Sequence, residues 1–161
     1  MKALRKVRPL LVTTAAVAAT AAAGRIGTDV SSRWYRELDK PSWQPPGAAF
    51  PVVWSALYAL LTGAGARALD RAGREGRSAP YLAAYGTNLA LNAGWTWSFF
   101  TAQNPRLALA EVLALEASTL DLTRRTWRLD RKAGIALLPY AAWTTFATAL
   151  TAEIARRNRR G

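Results

Sequence analysis

The chain has 161 residues, about one domain's worth, with 22 Lys and Arg against 10 Asp and Glu, a formal charge of +12. It contains no cysteine and no histidine, which excludes disulfides, Cys- or His-based zinc sites, Ser–His triads and the usual proximal haem ligand. The charge does not point to nucleic acid, because the cations gather at 2–8, 67–77, 124–132 and 156–160, each beside an apolar segment, as juxtamembrane basic clusters do.

The first segment, about 9–25, is rich in Ala, Thr, Val and Leu and follows Lys2, Arg5, Lys6 and Arg8. By itself it reads equally as a retained helix or as a cleavable signal peptide; the apolar segments that follow favour retention. A long loop, about 26–46, carries Trp34, Tyr35 and Trp43 and ends in KPSWQPPG. Loops of that length in compact domains are functional or disordered, and the aromatic residues with three prolines favour an ordered lid.

The second segment, about 48–69, runs straight out of that loop as FPVVWSALYALLTG. The third, about 80–101, contains no charge over residues 81–100. At about 1.5 Å per residue such a run spans roughly 30 Å, one hydrocarbon thickness, making it the clearest expected membrane span. The fourth, about 105–123, opens at Pro105 and is interrupted by Glu111, Glu116 and Asp121. The fifth, about 134–155, contains Pro139, read as a tolerated kink inside a membrane helix.

The expectation is one domain over 1–161: an all-α membrane protein, a bundle of five transmembrane helices with a long ordered loop between the first two. The N-terminus and the loops after the second and fourth helices hold 13 of the Lys and Arg residues and the other side 9. The positive-inside rule then places the N-terminus in the cytoplasm.

Residues three, four and seven apart share a helix face. Asn88, Asn92 and Trp95 form one such stripe, as do Trp143, Phe146, Ala147 and Leu150; Trp54 and Tyr58 lie four apart. The two carboxamides either bond neighbouring helices or line a polar pocket. Trp54 and Trp143 read as inward-facing pocket walls, because a buried indole N–H needs an acceptor. Trp97 and Phe100, near a helix end, read as interfacial belt residues. Ala59, Gly63 and Ala147 would permit close helix approach. Glu111 and Glu116 should face the bundle, since a carboxylate facing lipid at mid-bilayer costs about 3 kcal/mol or more. They point about 140° apart on a helix and so do not form an acid pair.

These residues together resemble the TspO/MBR family, the tryptophan-rich sensory proteins and translocator proteins also described as peripheral benzodiazepine receptors. The matching stretches are Trp34-Tyr35, KPSWQPPG, FPVVWSALYALLTG, NLALNAGWTWSFF and LLPYAAWTTFATAL, in order along essentially the whole chain. The resemblance implies a five-helix, commonly dimeric bundle with a ligand cavity beneath the first loop. Family ligands are protoporphyrin IX and haem-like tetrapyrroles, sterols in eukaryotes, and benzodiazepine-type drugs. Onto this sequence the family's pocket residues map as Trp54 and Trp143, the carboxamides Asn88 and Asn92, the loop aromatics Trp34, Tyr35 and Trp43, and the small residue Ala147. Tyr58, Trp95 and Phe146 join them through the helix stripes above. Two features depart from the family: LTAEIAR lacks the tyrosine of the eukaryotic sterol motif, and Glu116 stands where an apolar or small residue is expected.

The leading expectation is therefore a tetrapyrrole-binding receptor or regulator in a bacterial cell membrane, multi-pass and homodimeric, requiring no cofactor and no metal. Lys40 and Arg36 are the cations proposed to meet porphyrin carboxylates, and Tyr or Met1 the only groups considered for axial ligation. Light-dependent porphyrin breakdown through Trp54 and Trp143 is a second reading. Transport of a hydrophobic ligand, coupled to protons through Glu116, is a third, and a secreted Trp-rich binder a fourth.

Overall fold

The structure, a computed structural model, describes residues 2–159, with side chains from Arg8 onward. Met1, Arg160 and the side chains of Lys2, Arg5 and Lys6 lie outside the described residues. Every regular element among the described residues is helical: α1 (Lys2–Gly27), α2 (Arg33–Glu37), α3 (Ala49–Arg74), α4 (Ser78–Thr96), α5 (Pro105–Leu129), α6 (Arg131–Ala136) and α7 (Leu138–Arg157). A five-residue π turn, Trp97–Thr101, continues α4.

The five expected continuous helices are thus seven α-helical segments, and the differences have local causes. Asp130 breaks the fourth segment from the fifth: it is extended, and its side chain caps α6 by accepting from the Ala133 N–H at 2.9 Å. Pro139 stands in the first turn of α7, where its missing N–H has no helical partner to lose, and so it starts a helix where a kink was expected. Pro105 likewise opens α5 behind Asn104, whose side chain accepts from the N–H groups of Arg106 and Leu107.

Among the described residues three helices are long and apolar enough to cross a membrane: Arg8–Gly27, Ala49–Arg74 and Arg131–Arg157, the last combining α6 and α7. The uncharged third segment is not among them. Its α-helical part is 19 residues, and Asn88, Asn92, two tyrosines and two glycines dilute its apolar content. In α5 the carboxylates and arginines do the same.

The long helices close into a ring in which α1 packs on α3 and α4, α5 on α4 and α7, and α3 meets α7. Close approach comes at a position other than those expected. Ala59 and Gly63 are exposed on the outer face of α3, whereas at Gly65 a Cβ would stand 2.6 Å from the ring of Tyr85. That gap lets Tyr85 lie against α3 and donate its hydroxyl to the Leu61 carbonyl at 3.0 Å.

The first loop is ordered and fastened at both ends. Ser32 caps α2 by accepting from the Tyr35 N–H, and Asp29 accepts from the N–H and hydroxyl of Ser31. Those two bonds, the hydroxyl's first, hold the exposed Asp29 carboxyl below its usual range. At the other end the Asp39 N–H donates to Asn158 Oδ1 at 3.1 Å, and Asn158 Nδ2 returns a bond to the Asp39 carbonyl at 3.0 Å. Asn158 also donates to the Ile154 carbonyl at 2.8 Å, so the loop is latched to the end of α7.

Candidate ligand site beneath the first loop

Hydrogen bonds between side chains tie four helices together in one direction. The Tyr58 hydroxyl (α3) donates to Asn92 Oδ1 (α4) at 2.9 Å, and Asn92 Nδ2 donates to the Tyr140 hydroxyl (α7) at 3.1 Å. Tyr140 donates to Asn88 Oδ1 (α4) at 2.9 Å, and Asn88 Nδ2 donates to Thr119 Oγ1 (α5) at 2.9 Å. Asn88, Thr119 and Tyr140 are completely buried and Asn92 is 4% exposed. In a dry interior each unpaired amide or hydroxyl would cost about 1–3 kcal/mol, so the network fixes the register of the helices it joins.

Above this floor stands a run of aromatic rings. Trp54 lies 5.5 Å from Tyr58 and 6.4 Å from Tyr140 between centroids. It meets Trp143 edge-to-face at 6.5 Å and 89°. Trp143 contacts Phe146 at 5.2 Å and Phe50 at 5.9 Å, and Phe146 meets Trp43 of the loop at 5.9 Å. Trp54, Tyr58, Trp143 and Phe146 are half-buried, and Ala147 is half-buried on the next turn of α7. Among the described residues neither the Trp54 nor the Trp143 indole N–H has a protein acceptor, whereas Trp97 Nε1 donates to the Ala23 carbonyl at 3.1 Å.

A second aromatic group seats the loop itself. Phe99, 2% exposed, is its centre and touches Trp34 at 5.5 Å, Tyr35 at 6.4 Å, Trp95 at 5.4 Å and Phe100 at 4.9 Å. The structure therefore divides the stripe Asn88–Asn92–Trp95. The two carboxamides form the floor, while the Trp95 ring stacks on Phe99 beneath the loop, its buried N–H without a partner. Phe100, expected at the interfacial belt, packs on Tyr35 at 5.3 Å, while Trp97 is exposed on the outside.

The two loop cations are not free to meet a ligand as expected. Lys40 Nζ donates to the carbonyls of Tyr35 at 2.5 Å, Leu38 at 3.0 Å and Arg36 at 3.4 Å, and lies 4.7 Å over the Tyr35 ring. Arg36 donates to the Ser31 carbonyl. Carbonyls converging at the end of α2 draw Lys40 back into the loop, and the Ser31 carbonyl ahead of α2 draws Arg36 the same way. Glu111 and Glu116 face neighbouring helices. Glu116 accepts from Thr145 of α7 at 2.8 Å with its other oxygen buried and unpaired, and Glu111 lies so close to Gly94 that a Cβ there would stand 2.4 Å from its oxygen.

Tyr140, Thr119, Phe50 and Phe99 pack with the candidate residues and were missed by periodicity. Tyr140 stands within the PYAAW stretch, three residues before Trp143 on the same helix face, so spacing could have found it. Phe99 could not be found that way, because the π turn changes the helical register there.

A family model described as the TspO/MBR family matches residues 11–157. The chain is 37% identical over 125 residues to a tryptophan-rich sensory protein of Cereibacter sphaeroides, covering 78% of this chain and 77% of the relative. It is 34% identical over 141 residues to protein CrtK of Rhodobacter capsulatus, covering 87% and 88%. It is 33% identical over 128 residues to the translocator protein of Homo sapiens, covering 78% and 75%.

Proposed function

The chain belongs to the TspO/MBR family of membrane proteins, and on that premise we propose that it is a tetrapyrrole-binding receptor or regulator whose ligand lies against Trp54 and Trp143 beneath the first loop. The observation that carries this reading is the row Trp43–Phe146–Trp143–Trp54–Tyr58. Because Trp54 and Trp143 stand at 89° to each other, a flat macrocycle can stack on one ring and meet the edge of the other. Among the described residues both indole N–H groups lack a protein acceptor. Beneath it the Asn–Tyr network is satisfied by the protein itself, so the floor holds the walls at a fixed spacing and need not contact the ligand.

In this reading α1, α3, α4, α5 and α7 all span a bacterial cell membrane, α4 and α5 sheltering their polar groups inside the ring. Two copies pair, and the N-terminus is cytoplasmic. The same aromatic walls would accept a planar benzodiazepine-type ligand. The test is a titration of the purified protein with protoporphyrin IX in the dark, followed by Trp fluorescence. Saturable quenching with an unchanged porphyrin absorption band is the expected result, and no saturable quenching would refute the reading.

A second reading, light-driven porphyrin breakdown, draws on the edge-to-face pair Trp54–Trp143, which would place two oxidisable indoles beside an excited ring. Repeating the titration under illumination separates the two: breakdown predicts loss of the porphyrin band, and binding alone leaves it intact.

A further inference from the structure

At the end of the bundle opposite the loop, a groove of about 150 Å³ opens between the first turn of α4 and the last turns of α5. Its polar lining is Arg77, Tyr81, Asp121, Arg124, Arg125 and Arg128. Asp121, its one carboxylate, is paired with Arg125 at 2.6 Å, and Arg77 reaches Glu75 only at 3.5 Å on an exposed surface. Among the described residues Arg124 and Arg128 make no ion pair. Tyr81 is a wall and not a donor to spare, since its hydroxyl shares a hydrogen with Thr126 at 3.0 Å. The groove therefore holds an excess of positive charge with two uncommitted guanidinium groups.

A second feature adds to this attraction. The Ncap residue of α4 is Arg77, which makes no side-chain cap bond. The helix dipole, with the Ser78 and Ala79 N–H groups of the first turn left free among the described residues, thus favours an anion near this end of α4.

The pattern on α5 says what kind of anion. Leu113, Leu120, Arg124 and Arg128, spaced seven, four and four, share one helix face. Leu113 and Leu120 are 52% and 54% exposed, so in a membrane this face presents apolar side chains to the acyl region and arginines at headgroup level. Pro80 adds an apolar group from the α4 side of the groove.

We propose that this groove binds the phosphate of an anionic phospholipid, held by Arg124 and Arg128 with Arg77 beside them, its acyl chains lying along Leu120 and Leu113. Planar guanidinium groups bind phosphate oxygens in pairs, which suits one headgroup in a groove of this size. The site is separate from the aromatic one and does not depend on it.

The test titrates the full chain in a neutral detergent with dioctanoyl phosphatidylglycerol, dioctanoyl phosphatidylcholine and inorganic phosphate, counting bound molecules by native mass spectrometry. One phosphatidylglycerol per chain is expected, with weaker phosphatidylcholine binding and still weaker inorganic phosphate binding. Arg124→Gln/Arg128→Gln should lower phosphatidylglycerol affinity about tenfold or more, and Arg25→Gln/Arg106→Gln, which removes the same charge at the other end, should not. Equal loss in both pairs would reduce the effect to net charge and overturn the proposal. So would phosphatidylcholine binding as tightly as phosphatidylglycerol, or inorganic phosphate binding as tightly as the lipid.

Discussion

The Tyr140 hydroxyl accepts from Asn92 at 3.1 Å and donates to Asn88 at 2.9 Å, joining two carboxamides one helical turn apart on α4 to α7. Both directions of that hydroxyl are used, and the aromatic row stands on it through the Trp54–Tyr140 contact. Tyr140→Phe leaves a buried N–H and a buried carbonyl oxygen unpaired, and should cost about 1–3 kcal/mol. Tyr58→Phe removes one bond at a half-buried rim and should cost less than half as much. Thermal unfolding in detergent measures both; equal costs would show that the network is not centred on Tyr140.

The loop latch uses the backbone of Asp39 and the side chain of Asn158. Asn158→Ala should therefore free the loop, raising proteolysis within 28–48 and speeding ligand release several-fold, with little change in helix melting. Asp39→Asn keeps both latch bonds and loses only an exposed contact with Arg157 at 3.3 Å, so it should behave like the parent. Limited proteolysis of the two variants side by side decides the matter.

Two glycines separate rigid from yielding contacts. Gly65→Ala drives a Cβ against the Tyr85 ring, whose hydroxyl is committed to Leu61, and should destabilise by about 1–3 kcal/mol. Gly94→Ala meets the end of the Glu111 side chain, which can swing aside, and should cost less. Melting temperatures of the two variants test the order.

Asp130 supplies a pH signature outside the spans. Its side chain is 7% exposed; it caps α6 and pairs with Arg67 at 2.8 Å. The Ala133 N–H first, and then Arg67, hold its carboxyl below the usual range. A lowered folded-state pKa means stability that is fully present above the unfolded value of about 3.9 and is lost as pH falls through the folded one. Acid unfolding below about pH 4 should be less steep in Asp130→Asn, which is weaker at neutral pH; parallel pH profiles would contradict this assignment.

Much of the architecture was legible because charge and apolar runs are segregated along the chain. Asn88 and Asn92 announced themselves, since two carboxamides on an apolar helix must find partners. Their partners did not: Thr119 and Tyr140 lie on other helices, and periodicity within one helix says nothing of which faces meet. The boundaries failed where one residue redirects the chain. Asp130 reads as a surface charge until its cap bond to Ala133 is seen, and the apolar run through Phe100 conceals a π turn that turns Phe99 inward. Lys40 looked like a ligand cation because sequence shows its charge and not the three carbonyls around it.

The most direct measurement is the dark affinity for protoporphyrin IX of the parent protein and of Trp54→Ala/Trp143→Ala, followed by porphyrin absorbance with helix content checked by circular dichroism. A site walled by these two rings predicts saturable binding in the parent and a loss of about tenfold or more in the folded double variant. Equal affinity in the two proteins would show that the macrocycle does not lie on Trp54 and Trp143.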